Sequence, residues 1–405
     1  MEASKKLIIN IVSCMKDLNK KRREFMISMM ILMLSLRGRY TFLNMERYGD
    51  YCEKSYRLHF ERTFDFVTFN LKMSMAKLSG NNILAFDPSY LPKSGKGTPH
   101  IDKFWSGCLK KSIKGIEISG LAVIDLDNNT GIHLESIQTP DMASLRKKGW
   151  SRIDHYAHCI ISRYDKIKQV ADYLCVDGFF GKHKFIDQIR SQTHFHLVSK
   201  LRRDADLYYL NKKRSTGPGR PAKYDGKIDL KKIDRRKLRK CYENEDVILY
   251  QGVVYAKQLK RKIKLCYVER IENGLPVGKY QVLFSTDLAL SACLIYQYYK
   301  ARFQIEFLFR DAKQYTGLTH CEARSENKLH FHHNMSLSAV NVAKLTQYLN
   351  QPKKQRAAFS MANVKTEHFN NLMLDLFLAN LEIQPELSKI RRLRKKITEL
   401  GKIAC

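Results

Sequence analysis

Ile83-Leu84-Ala85-Phe86-Asp87 and Tyr173-Leu174-Cys175-Val176-Asp177 are two short apolar runs, each ending in a carboxylate. Runs of this length, bounded by polar residues, predict buried strands. Beside the first, Ile116 to Asp125 and Gly131 to Ile137 predict two more strands, joined by the turn Asp127-Asn128-Asn129. Around the second, a helix over Arg152 to Lys168 comes before the run. A helix from about Lys182 to Ser191 and a strand from His194 to Ser199 come after it. Three early strands followed by strand–helix alternation predict an α/β core with a mixed sheet.

Working outward, residues 1–78 show helical spacing of apolar positions and few strand signals. Phe25 to Leu36 reads as a buried, Met-rich helix. It is too short to span a bilayer, and Arg37-Gly38-Arg39 after it is no signal-peptide cleavage site. Thr41 is placed to cap a helix through Tyr48, and Gly49 to turn the chain into a second helix, Cys52 to Arg62. That second helix carries Lys54, Arg57, His59 and Arg62. The pattern fits either a DNA-binding helix-turn-helix or a bundle with a basic face.

Residues 201–279 interrupt the strand–helix rhythm. Strand signals at Val247 to Val254, Ile263 to Ile271 and Tyr280 to Ser285, with Asn273-Gly274 as a turn, predict a β-rich insertion. Helical periodicity returns at Leu288 and runs to the basic stretch Lys389 to Lys396. The expected organisation is a helical DNA-binding region at 1–78 and a core in two parts, 79–200 and 280–345. The insertion at 201–279 separates those parts, and a helical C-terminal region follows at 346–405.

Composition narrows the function. The 405-residue chain has 72 Lys and Arg against 40 Asp and Glu, a formal net charge of +32. Such an excess suits a polyanionic partner, because neutralising a phosphate backbone releases its counterions. Hydrophobic residues make up 44%, enough for a sizeable core, so the charge sits on a folded protein. The cysteines are scattered, with no Cys-x-x-Cys, which fits a reducing cytoplasm and no disulfide framework.

Tyr299-Lys300-Ala301-Arg302-Phe303-Gln304-Ile305-Glu306, continuing to Lys313, carries the chemistry. On one continuous helix, Arg302, Glu306 and Lys313 would lie about −60°, −20° and −40° from Tyr299, a single narrow stripe. Phe303, Phe307 and Phe309 flank it and imply packed surroundings, where a carboxylate needs a compensating cation. Asp87 and Asp177, at strand ends, occupy the positions where open α/β sheets hold reactive groups. Three carboxylates converging there would require divalent cations, and hard oxygen ligands select Mg²⁺ or Mn²⁺. Taken singly, each aspartate favours the plainer reading of a strand-end cap or turn residue.

Together these motifs resemble the DDE transposases of bacterial insertion sequences, in the subgroup with a Tyr-(2)-Arg-(3)-Glu-(6)-Lys signature. That signature is complete here as Tyr299, Arg302, Glu306 and Lys313. Ile83 to Asp87 matches the family's first aspartate motif, and Asp177-Gly178-Phe179-Phe180 its second. The resemblance covers roughly residues 80–345. It implies a ribonuclease-H-like mixed-sheet core, interrupted by the β-rich insertion and flanked by helical N- and C-terminal regions. It also implies Asp87, Asp177 and Glu306 as catalytic ligands of two Mg²⁺ or Mn²⁺ ions, with Tyr299, Arg302 and Lys313 contacting element-end DNA. Family members act as homodimers bridging two double-stranded ends, in the bacterial cytoplasm with the nucleoid. No membrane or nucleotide cofactor is expected. A nuclease without strand transfer and a catalytically idle DNA-binding relic are the alternatives.

Ser94 to Thr98 lacks a glycine at position 90, and Gly97 stands where a phosphate-binding loop needs Ser or Thr, so it reads as a basic loop near Asp87. Gly217 to Lys223 resembles an AT-hook core, with Arg220 the minor-groove candidate; a basic surface loop fits as well. Lys212, Lys213 and Arg214 would hold phosphate non-specifically. His320, Cys321, His330, His332 and His333 match no zinc spacing and read as packing. Asp125 and Asp127 suit turn chemistry. Trp105 and Trp150 are either core or base-stacking positions.

Overall fold

The computed structural model describes residues 2–95, 97–107, 109–211, 222–385 and 387–403. Five helices come first: α1 (Glu2–Ser13), α2 (Lys20–Ser35), α3 (Phe42–Tyr48), α4 (Glu53–Glu61) and α5 (Phe66–Ser74). Strands β1 (Asn82–Pro92), β2 (Asp102–Ser106), β3 (Lys111–Asp125) and β4 (Thr130–Gln138) follow. Helices α6 (Met142–Lys147), α7 (Arg152–Ile161) and α8 (Tyr164–Ile167) lead to β5 (Tyr173–Val176), α9 (His183–Gln192) and β6 (His196–Leu201). A run of strands comes next: β7 (Leu207–Leu210), β8 (Tyr224–Lys227), β9 (Arg239–Glu243), β10 (Val247–Ala256), β11 (Arg261–Glu272) and β12 (Leu275–Ser285). The chain closes with α10 (Ala292–Ala301), α11 (Gln304–Tyr315), α12 (Glu326–Ala343), α13 (Met361–Asn380) and α14 (Ser388–Glu399).

These elements form two compact units. The first gathers Met1–Gly80, Pro88–Ser144 and Ile305–Cys405; the second gathers Asn81–Asp87 and Leu145–Gln304.

In the first unit, α2 is buried over Phe25, Met26, Met29, Met30 and Met33, as its Met-rich sequence predicts. Unbranched thioethers fill the irregular spaces between helices. Thr41 caps α3 by accepting from the Asn44 N–H at 3.3 Å, and the turn and second helix lie where expected. The basic face of α4 is smaller than expected. The His59 ring stacks on Phe25, with centroids 3.9 Å apart, and burial together with Arg22 pushes its pKa down to about 4.

β3 pairs antiparallel with β2 along Lys111–Gly115 and with β4 along Ile118–Asp125. The other edge of β4 is covered by asparagines. Asn334 Nδ2 donates to Ser136 O at 2.9 Å, and its Oδ1 accepts from Ser136 N at 2.7 Å. Asn341 treats His133 the same way, at 2.7 and 2.8 Å, and Asn70 Nδ2 donates to Leu134 O at 2.9 Å. Helices α5 and α12 thus bring side-chain amides that stand in for a neighbouring strand and satisfy the backbone groups of His133 and Ser136 and the Leu134 carbonyl. The histidine cluster serves the same packing: His332 and His333 are buried, and His332 bonds Gly317 O at 2.7 Å.

The second unit is built on a mixed sheet. β5 lies parallel to both β1 and β6. β12 runs antiparallel to β6, β11 to β12 and β10 to β11. β7 and β9 each pair with β10, and β8 with β7. The strands after Leu201 therefore extend the sheet already begun. Asn273 and Gly274 adopt φ of 53° and 76° between β11 and β12, the left-handed pair that a two-residue hairpin turn requires. The expected helix over Arg152 to Lys168 is divided into α7 and α8.

Asp125 anchors the β3–β4 turn. It is fully buried and accepts from Ser79 N and Oγ, Asp127 N, and Asn128 N and Nδ2, at 2.7–3.1 Å. Burial pushes its pKa up, but hydrogen bonds from Asn128 and Ser79 outweigh that and hold it below the usual carboxylate value. A depressed folded-state pKa stabilises the fold above the unfolded pKa, and that contribution is lost as pH falls through the folded value. Asp125→Ala should cost about 2–4 kcal/mol in denaturant unfolding at neutral pH, because five donors lose their acceptor. The gap between variant and parent should narrow below about pH 4; a gap independent of pH would contradict this role.

Candidate functional site

Asp87 and Asp177 meet through strand register. β1 and β5 pair in parallel as Leu84↔Leu174, Ala85↔Cys175 and Phe86↔Val176. The aspartates stand one residue beyond the last pair, on neighbouring strands about 4.8 Å apart. Two carboxylates so close disfavour joint ionisation unless positive charge or donors face them.

Both are supplied from one short stretch. Ser291 caps α10 by accepting from Leu294 N at 3.3 Å, and the helix packs over β5, β6, β11 and β12. Tyr299 and Arg302, three residues apart at its end, fall on one side. The Tyr299 hydroxyl donates to Asp177 Oδ1 at 3.2 Å, and Arg302 Nη1 lies 3.6 Å from Asp87 Oδ1. Burial, and then the Asp177 charge, push the Tyr299 pKa up, so this phenol stays protonated as a donor. Arg302 is itself only 8% exposed, and its guanidinium carbon sits 5.6 Å from the centre of the Tyr299 ring.

Neighbouring residues hold the aspartates in place. The Asp177 carbonyl accepts from Ser199 Oγ at 3.0 Å. Gly178 suits a close approach: a Cβ there would lie 3.1 Å from the Lys200 carbonyl oxygen, a tight contact. Ser199 was missed in the sequence, since one serine in an apolar strand carries no signal.

The expectation of one continuous helix from Tyr299 to Lys313 is overturned. α10 ends at Ala301, Arg302 and Phe303 form a turn, and α11 starts at Gln304. The Phe303 N–H bonds back only three residues, to Lys300 O at 3.2 Å, which tightens the backbone and resets the helical phase. Phe303 is 47% exposed, so it does not wall the stripe as expected.

Glu306 and Lys313 belong to α11 in the first unit. That helix is seated there by Phe309, whose ring lies where a Cβ on Gly120 of β3 would be, 2.6 Å from its Cζ. Lys313 Nζ donates to Ser89 Oγ and to Tyr90 O, each at 2.9 Å. It is thus bound to the segment that continues β1 beyond Asp87. Glu306 lies in the first turn of α11 and is half-buried.

Lys212, Lys213, Arg214 and Arg220, like Lys96 in the 94–98 loop, lie outside the described residues. Among the described residues no three His, Cys, Asp or Glu side chains are grouped to hold a metal ion. What the second unit offers is a pair of carboxylates, the hard oxygen donors that suit Mg²⁺ or Mn²⁺, with Arg302 beside one of them. No helix among the described residues is long and apolar enough to cross a membrane, and the eight described cysteines are free.

Residues 155–342 match the family described as Transposase DDE domain. That span takes in Asp177, Tyr299, Arg302, Glu306 and Lys313; Asp87 lies before it. Among solved structures the chain is similar to a piggyBac transposase in a synaptic complex with hairpin DNA. The identity is 14% and the TM-score 0.40, over 99% of this chain and 76% of that one. No curated protein matches the chain.

Arg302→Ala would leave two adjacent carboxylates without their neighbouring cation. Millimolar Mg²⁺ should then raise the melting temperature of the variant by at least about 2 °C more than that of the parent. Equal shifts in the two proteins would contradict a cation-binding aspartate pair.

Proposed function

We propose that this protein is a transposase that binds the ends of a mobile DNA element, cleaves the DNA and joins the freed 3′-hydroxyl to a target. The observation that carries this reading is the pairing of Asp87 with Asp177 on adjacent parallel strands, with Tyr299 and Arg302 of the Tyr-Arg-Glu-Lys signature set directly on them. The match of residues 155–342 to the Transposase DDE domain and the net charge of +32 support the same reading.

In this proposal Asp87, Asp177 and Glu306 are the metal-binding carboxylates of a ribonuclease-H-like core. Two Mg²⁺ or Mn²⁺ ions bound by them would activate the attacking oxygen and neutralise the leaving one. Arg302 compensates Asp87 in the protein alone and would turn to a phosphate once cations take that task. Tyr299, held protonated, donates to an anionic oxygen, either that of Asp177 or that of a phosphate. Lys313 places a fixed positive charge next to the segment after Asp87. The basic stretch with Lys212, Lys213, Arg214 and Arg220 would grip backbone phosphate without regard to sequence. Two copies would bring two DNA ends together.

Glu306→Gln and Asp177→Asn should each abolish cleavage of element-end DNA in Mg²⁺ while leaving DNA affinity within about three-fold of the parent, since neither change removes a cation. Loss of binding in step with cleavage would contradict the assigned roles. Cleavage without joining in the parent protein would restrict the activity to that of a nuclease.

A further inference from the structure

The β2–β3 hairpin of the first unit displays an aromatic ring that the fold does not use. Trp105 is 60% exposed, whereas Phe104 next to it is fully buried. Side chains alternate along a strand, so the ribbon has a packed face through Phe104 and an outward face through Lys103 and Trp105. The register completes that face, with Lys103 opposite Lys114 and Trp105 opposite Ser112.

The outward face is poorly composed for stability alone. Like charges placed directly opposite weaken a ribbon, and an exposed indole contributes little burial. From Lys103 to Lys114 the sequence has four lysines (Lys103, Lys110, Lys111 and Lys114) and no Asp or Glu. Of these, Lys103 and Lys114 share the outward face with Trp105, whereas Lys111, opposite Ser106, falls on the other face. The outward face therefore combines one planar apolar surface with two neighbouring cations. A ligand that answers both needs a planar π-system between anionic groups, which describes a nucleotide within a strand.

The ribbon is also fixed at its root. The Tyr90 hydroxyl donates to Lys114 O at 2.9 Å. Gly115 admits no side chain, since a Cβ there would sit 2.6 Å from Leu91 O. The indole is thus mounted on the end of β1, the same segment that binds Lys313.

We propose that this hairpin is a stacking platform for an unpaired nucleobase, with Trp105 taking the face of the base and Lys103 and Lys114 the flanking phosphates. The inference rests on the DNA-processing reading above and adds the form of DNA that the hairpin takes. Paired bases offer only their edges in the grooves, so an indole projecting from a ribbon face selects single-stranded or melted nucleotides.

The chain has two tryptophans, so Trp150→Phe leaves Trp105 as the sole indole reporter. Oligothymidylate and a blunt duplex of equal length would be titrated at one ionic strength, with anisotropy of the labelled DNA and tryptophan emission read together. We expect saturable quenching of Trp105 by the single strand, and much weaker quenching by the duplex at equal bound fraction. Trp105→Ala should weaken single-strand binding roughly ten-fold and duplex binding less than about two-fold, with Trp105→Phe recovering most of the loss. DNA bound with unchanged emission, or an equal loss for both forms in Trp105→Ala, would overturn the platform while leaving the transposase reading intact. No binding of either form would overturn both.

Discussion

The parallel pairing of β1 with β5 is the constraint on which the candidate site depends. Its register sets Asp87 and Asp177 side by side, and no local feature of either segment could do so alone. Once they are adjacent, electrostatics dictates their surroundings. Two carboxylates on neighbouring strands need compensation, and the end of α10 supplies a protonated phenol for one and a guanidinium for the other. A buried side-chain cation, Arg302, thus lies beside Asp87. In the proposed function, divalent ions would take over this compensation and Arg302 would pass to an anionic substrate.

Burying Arg302 and Tyr299 costs desolvation that the surrounding fold must support. The support is specific. Ser199 holds the Asp177 backbone, Gly178 lets β6 approach closely, and α10 is seated across the sheet by its apolar face. In the first unit, the Phe309–Gly120 contact and the two Lys313 hydrogen bonds play the corresponding part for α11.

Much of this was legible in the sequence, for identifiable reasons. The strand that stops just before Asp177, the Thr41 cap, the Met-rich α2 and the Asn273-Gly274 turn all rest on local chemistry: apolar runs, a capping oxygen, left-handed φ. β1 also forms where its apolar run predicts, but it continues through Asp87 to Pro92 instead of ending there. What was not legible depends on long-range packing. The break at Arg302 and Phe303 involves neither proline nor glycine, so period alone ran the helix on to Lys313. The asparagines that cover β4 look like ordinary polar residues until the strand edge lies beside them. Strand β2 is a five-residue ribbon whose outward face is polar apart from Trp105, too short and mixed for a periodic signal. His59 counted as a basic surface residue, but its ring packs on Phe25. In each case tertiary contact decided what local propensity left open.

The central claim is that Asp87, Asp177 and Glu306, from three separate stretches of chain, hold the same metal ions. Iron-directed cleavage of the polypeptide tests it most directly: Fe²⁺ replaces Mg²⁺, and ascorbate with peroxide generates radicals that cut the backbone beside the bound metal. The account predicts fragments ending near all three residues, suppressed together by excess Mg²⁺. Cuts confined to the two aspartate strands, or scattered without suppression by Mg²⁺, would contradict it.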